Sequence, residues 1–160
     1  MELKAVEVKI PEGANVILGQ AHFIKTTEDL YETMATTVPG SEFGLAFSEA
    51  SGECLVRHDG NSVELERAAS EACAAIGAGH SFVIIMRKAY PISVLNAIKS
   101  IQEVCSVYCA TANPLIVVVA EESGRRGIMG VLDGYPPKGI ESEKDKEARK
   151  AFLRKIGYKR

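Results

Sequence analysis

Near the start of the chain Val6, Val8 and Ile10 alternate with Glu7 and Lys9. A period of two is that of a half-buried strand, and Pro11-Glu12-Gly13 ends it. Asn15 to Ile24 reads as a second extended segment. Thr26 or Thr27 then suits the cap of a helix whose first turn holds Glu28 and Asp29, where the helix dipole favours acids. Leu30, Tyr31, Met34 and Val38 give that helix an apolar stripe, and Pro39-Gly40 stops it.

Phe43 to Phe47 and Cys54 to Arg57 predict two strands joined around Ser51-Gly52, closed by Asp59-Gly60-Asn61. Ser62 caps a second helix from Val63 to Ile76, rich in alanine on one face and ended by Gly77. Phe82-Val83-Ile84-Ile85-Met86 has no alternation, as in a strand covered on both faces. Leu95, Ile98 and Ile101 predict a helix over 92–101. Val104 to Cys109, Leu115 to Ala120 and Ile128 to Leu132 predict strands, and 143–156 a charged helix. The pattern predicts one α/β domain over residues 1–160, a layered mixed β-sheet flanked by helices.

A chain of 160 residues with 46% hydrophobic and 25% charged residues is long enough for a proper core. Its net charge of −2 argues against a general nucleic-acid binder. No apolar run approaches the roughly 20 residues of a bilayer helix, and the N-terminus lacks the apolar stretch of a signal peptide. No membrane partner and a cytoplasmic location are therefore expected. Cys54, Cys73, Cys105 and Cys109 are too irregularly spaced for a disulfide framework. Cys105 and Cys109 share a predicted strand, where residues four apart stand about 13 Å apart, too far for one zinc.

The chain has no Gly-x-x-x-x-Gly-Lys-Ser/Thr loop and no complete Gly-x-Gly-x-x-Gly. Three histidines are present. His22 precedes a predicted helix N-terminus, where backbone amides and Lys25 suit a transferred phosphoryl group; a structural histidine in a strand-to-helix turn is the alternative. His80 follows Gly77-Ala78-Gly79, whose bare backbone suits close approach to phosphate but also a simple tight turn. His58, between Arg57 and Asp59, reads as a solvated turn residue. Thr111 and Asn113, in Ala110-Thr111-Ala112-Asn113-Pro114, are polar positions at the end of an apolar strand. Arg125 and Arg126 suit bidentate phosphate contacts, and Asp133 suits a base or a metal ligand; a hairpin with surface arginines and an Asp-Gly turn explains them equally well. The basic C-terminal run, Arg149 to Arg160, reads as one solvated helix face.

Taken together and in order, several segments resemble the adenosine-specific kinase family of archaea and bacteria. They are His22-Phe23-Ile24-Lys25-Thr26 with Glu28-Asp29-Leu30, Phe43 through Gly52, Leu55-Val56-Arg57 with Gly60-Asn61, and Ala78-Gly79-His80. Val94 through Lys99, Cys109 through Pro114, Gly130 through Gly134 and Leu153 through Lys159 continue the likeness, which covers nearly all of the chain from Asn15. Ser62 and Ser93 depart from it, standing where Asp and Asn are expected.

The resemblance implies a compact α/β protein that binds adenosine or AMP and carries a phosphoryl group on histidine. That histidine is His22 or His80, with the helix N-terminus favouring His22, and Asp133 serves as base or magnesium ligand. Lys25, Thr26, Arg57, Gly79, Arg125 and Arg126 are the implied phosphate-binding residues, and Ser48, Glu49, Thr111 and Asn113 the nucleoside-binding ones. Mg2+ would accompany a nucleotide phosphoryl donor, with no tightly bound metal. A homo-oligomer, with a trimer as the first choice, is the expected assembly. A non-catalytic adenosine or AMP sensor is the alternative reading.

Overall fold

The computed structural model describes residues 1–160. Eight strands and four helices follow one another as β1 (Glu2–Val8), β2 (Asn15–Ala21), α1 (Thr26–Thr37), β3 (Glu42–Ser48), β4 (Val56–Gly60), α2 (Val63–Ile76), β5 (Ser81–Arg87), α3 (Pro91–Lys99), β6 (Val104–Thr111), β7 (Leu115–Glu122), β8 (Arg125–Asp133) and α4 (Glu143–Lys155). The α/β class stands. The strands form a five-stranded sheet, in the order β4-β3-β5-β2-β6, and a three-stranded one, β1-β7-β8.

Every pairing in both sheets is antiparallel, where the sequence pattern suggested one mixed sheet. The reason is geometric. β2 and β3 both run antiparallel to β5, so α1 joins strands of one direction that straddle it; α2 likewise carries β4 to β5 past β3, and α3 carries β5 to β6 past β2, while β3-β4 and β7-β8 are hairpins. Each helical crossover skips one strand, so no two parallel strands are neighbours.

The large sheet is buried on both faces, which explains why Phe82 to Met86 does not alternate. Phe82, Ile84 and Met86 join Phe43, Leu45, Phe47, Leu30 and Met34 under α1 and α3. Val83 and Ile85 face the other way, joining Ala46, Leu65, Ala69 and Ile76 with Leu115, Val117 and Val119 of the small sheet. The layers are therefore α1 and α3, the large sheet, then α2 beside the small sheet. The small-residue face of α2 brings it very close to β3: a methyl group added at Gly44 would lie 2.0 Å from the Glu66 backbone nitrogen.

Local signals set α2. Ser62 accepts from the Leu65 amide at 3.5 Å, and Gly77 closes the helix in the left-handed region at φ 62°. At α1 the expected threonine cap is absent. Lys25 occupies the cap position with helical backbone angles and no side-chain cap bond. Thr26 and Thr27 already lie inside the buried first turn, so Thr26 donates back to the Phe23 carbonyl at 2.5 Å. No helix is long and apolar enough to cross a membrane.

Candidate functional site

The antiparallel order brings one set of strand ends together. Ala21 of β2, Ser48 of β3, Val56 of β4 and Ser81 of β5 lie along the same edge, with Val104 of β6 opposite Ala21. His22, Lys25, Thr26, Ser48, Glu49, Arg57, Gly79 and His80 extend from these ends. The β7-β8 turn adds Arg125 and Arg126, which share a groove with Ser48, Glu49 and Gly79. Ten of the residues singled out from the sequence thus gather at one end of the sheet.

Thr111, Asn113 and Asp133 do not join them within one chain. Thr111 pairs with Val16, at the other end of β2 from Ala21, roughly 17 Å away at strand rise. There Asp133 Oδ1 accepts from Thr111 Oγ1 at 2.7 Å and from Asn113 Nδ2 at 3.1 Å. Ser48 and Glu49 cannot line one pocket with Thr111 and Asn113 in a single chain.

His80 is held from both sides. Its amide donates to the Ser48 carbonyl at 2.7 Å, and its carbonyl accepts from the Ala21 amide at 2.9 Å. Its φ of 65° lies in the left-handed region, which costs a non-glycine residue on the order of 1 kcal/mol. The imidazole stacks on Phe47, with centroids 5.8 Å apart and planes at 17°. Phe47 belongs to the core beneath α1 and α3, so the ring lies on that side of the sheet. His22 is exposed, its amide bonded to the Glu103 carbonyl. His58 is exposed as expected but lies within strand β4, opposite Ala46, and not in a turn, with Nδ1 2.6 Å from Glu66 Oε1.

Most of the cations here are already partnered. Lys25 bonds Asp29 at 2.5 Å and buried Glu103 at 3.1 Å, and its pKa is raised, first by the bond to Asp29. Arg57 Nη2 donates to Glu49 at 2.9 Å; that carboxyl is held low by the Leu55 amide, then by Arg57. Arg126 Nε donates to Glu121 at 2.6 Å while Nη1 donates to the Ala75 carbonyl at the end of α2. Arg125 is exposed and makes no ion pair.

Two grooves flank the segment Leu55-Val56. One, of about 620 Å³, runs past Gly77, Gly79, Gly124 and Arg125; the other, of about 510 Å³, lies between the first turn of α1 and the start of β4. Sequence reasoning missed Thr27, Glu28 and Leu55 in the second groove, because nothing local distinguishes them from helix-start and turn residues. As for magnesium, no three His, Cys, Asp or Glu side chains converge on one point, and Asp133 lies at the far end of the sheet.

A family model described as "Adenosine specific kinase" matches residues 6–159. The chain is also similar to the crystal structure of the PH1918 protein from Pyrococcus horikoshii OT3. The two are 44% identical over 99% of this chain and 98% of that one, with a TM-score of 0.96. No curated protein matches the chain.

Proposed function

The chain belongs to the adenosine-specific kinase family, and on that premise we propose that it transfers a phosphoryl group to adenosine through a phosphohistidine on His80. The observation that carries this reading is the conformation of His80: a non-glycine residue at φ 65°, pinned at both backbone atoms, with its ring laid on Phe47. Backbone strain of that kind persists where surrounding structure enforces it and clusters at functional sites. An imidazole nitrogen takes the terminal phosphoryl group of a nucleotide donor, and the phosphorus–oxygen bond to the leaving diphosphate breaks. A ribose hydroxyl of adenosine then attacks the phosphorus, the N–P bond breaks, the hydroxyl proton passes to the released imidazole nitrogen, and AMP leaves. Arg125, which has no ion-pair partner and lines a groove with Gly79, the neighbour of His80, is the cation assigned to the phosphoryl group.

His22 is the weaker candidate, because the cation next to it, Lys25, is held by Asp29 and Glu103. The test is incubation with γ-labelled ATP. Acid-labile label on the wild type, lost in His80→Gln and kept in His22→Gln, together with AMP when adenosine is added, is the expected result. Label lost only in His22→Gln moves the nucleophile there; neither label nor AMP removes the enzyme reading.

One observation favours the second reading, a non-catalytic adenosine or AMP sensor: Lys25, Arg57 and Arg126 are all neutralised by carboxylates. It predicts saturable binding without turnover. A homo-oligomer, a trimer first, is part of the proposal. Helix α4 has no buried residue and exposes Phe152 and Ile156, and a lone helix of this length is marginal in water.

A further inference from the structure

The groove between α1 and β4 contains unspent hydrogen-bonding capacity. Thr27 is only 8% exposed, yet its Oγ1 has no partner, and neither has Arg57 Nε. Buried polar groups are nearly always paired. Here two orphans from different elements line one groove. Beside them the first turn of α1 has no side-chain cap, and the Glu28 amide takes no backbone acceptor.

The charge and shape of the groove narrow what it accepts. Arg57 is neutralised by Glu49, and Glu28 adds a carboxylate without an ion-pair partner. The groove therefore carries no excess positive charge and disfavours a phosphate. Its other wall is apolar: Ile24 and Leu55 are 39% and 52% exposed, and Val56 continues that wall. An apolar wall opposite a carboxylate and unpaired polar groups suits a neutral molecule with a flat heterocycle and vicinal hydroxyls. The glycine-lined groove on the other side of Leu55-Val56, with Arg125, has the opposite character.

We infer that the α1–β4 groove holds the neutral nucleoside, with the base on Ile24 and Leu55, the ribose hydroxyls donating to Glu28, and Thr27 and Arg57 meeting the remaining polar atoms. The inference rests on the proposed adenosine chemistry. It transfers nucleoside recognition from Thr111 and Asn113 to Thr27 and Glu28.

Calorimetric titration of the full chain with adenosine and, separately, with inorganic phosphate tests it. Glu28→Gln and Thr27→Val should each weaken adenosine about tenfold, the size of one hydrogen bond involving a charged or buried group, with phosphate binding unchanged. Glu28 is exposed, so Glu28→Gln keeps the test informative if Thr27→Val disturbs the fold. Wild-type affinity for adenosine in both variants overturns the groove assignment while leaving the adenosine reading intact. Absence of adenosine binding to the wild type overturns both.

Discussion

The amide of Ala21 donates to the carbonyl of His80 at 2.9 Å, extending the β2-β5 ladder one residue beyond Gln20 and Ser81. That bond sets His22 and His80 on adjacent strand ends although they are far apart in sequence. The same residue's amide reaches back to Ser48, so the Gly77–His80 turn is fastened to β3 and β2 at once. The site is built on the rigid edge of a sheet that is buried on both faces.

If His80 is in this conformation for chemistry, glycine should fit its backbone as well. His80→Gly relieves the left-handed strain and loses the stacking on Phe47, while increasing the freedom of the unfolded chain. These effects offset one another, so Tm should move by no more than about 4 °C. Acid-labile labelling by ATP should disappear. A variant that melts far lower and still labels would make His80 a packing residue instead.

What the sequence disclosed was what local chemistry decides. Ser62 and Gly77 bound α2 because cap and stop act within a turn, and Phe82 to Met86 reads as doubly covered because both its faces are apolar. Thr26 and Thr27 misled for the converse reason. As caps they are plausible locally, but burial of the first turn under the chain draws them inside the helix. Strand direction and sheet membership depend on partners distant in sequence, so two antiparallel sheets were not legible. The same holds for the α1–β4 groove: Thr27 and Leu55 meet only because β4 pairs at the edge beside α1.

The close approach of α2 to β3 makes Gly44 a sensitive position. A β-carbon there would stand 2.0 Å from the Glu66 nitrogen and 2.2 Å from the Leu65 carbonyl carbon, both backbone atoms. Gly44→Ala must therefore push the helix off the sheet. Overpacking of this kind costs about 3 kcal/mol, equivalent to a Tm drop of roughly 6–12 °C for a chain of this size. Thermal denaturation followed by circular dichroism gives the answer, and a shift under about 2 °C would mean that α2 yields without cost.

The four thiols should separate by reactivity. Cys54 and Cys105 are exposed. Burial, then the charge of Asp133, raises the Cys109 pKa to about 11, and burial pushes Cys73 upward as well. At pH 8 a thiol with a pKa near 11 has roughly a hundredfold less thiolate than an ordinary one. Iodoacetamide followed by peptide mass spectrometry should mark Cys54 and Cys105 first, with Cys73 and Cys109 reacting only in denaturant. Asp133→Asn should quicken Cys109. Equal rates for all four would contradict the buried placement.

Glu121 joins the small sheet to the end of α2. One of its oxygens accepts from Lys4 of β1 at 2.8 Å, the other from Arg126 of β8 at 2.6 Å, and Arg126 in turn donates to the Ala75 carbonyl. The bond to Lys4, then that to Arg126, holds the Glu121 carboxyl below its usual range; the bond to Arg87 does the same for Glu64, and that to Arg149 for Glu141. A pKa depressed on folding gives stability that is present above the unfolded value, about 4.3 for Glu, and is lost as pH falls through the folded one. Stability should thus be level near neutrality and decline below about pH 4.5. Lys4 is shifted upward, first by the same bond to Glu121, so its share is present at neutral pH and is lost only as pH rises through its folded pKa, above about 10.4. Glu121→Gln should flatten the acid limb of a Tm-against-pH curve, and 0.5 M salt should flatten it further because these pairs are partly exposed. Because Arg126 then loses its anchor beside Gly77, the variant should also raise amide exchange in the turn leading to His80. An acid limb unchanged in Glu121→Gln would assign it to the other carboxylates.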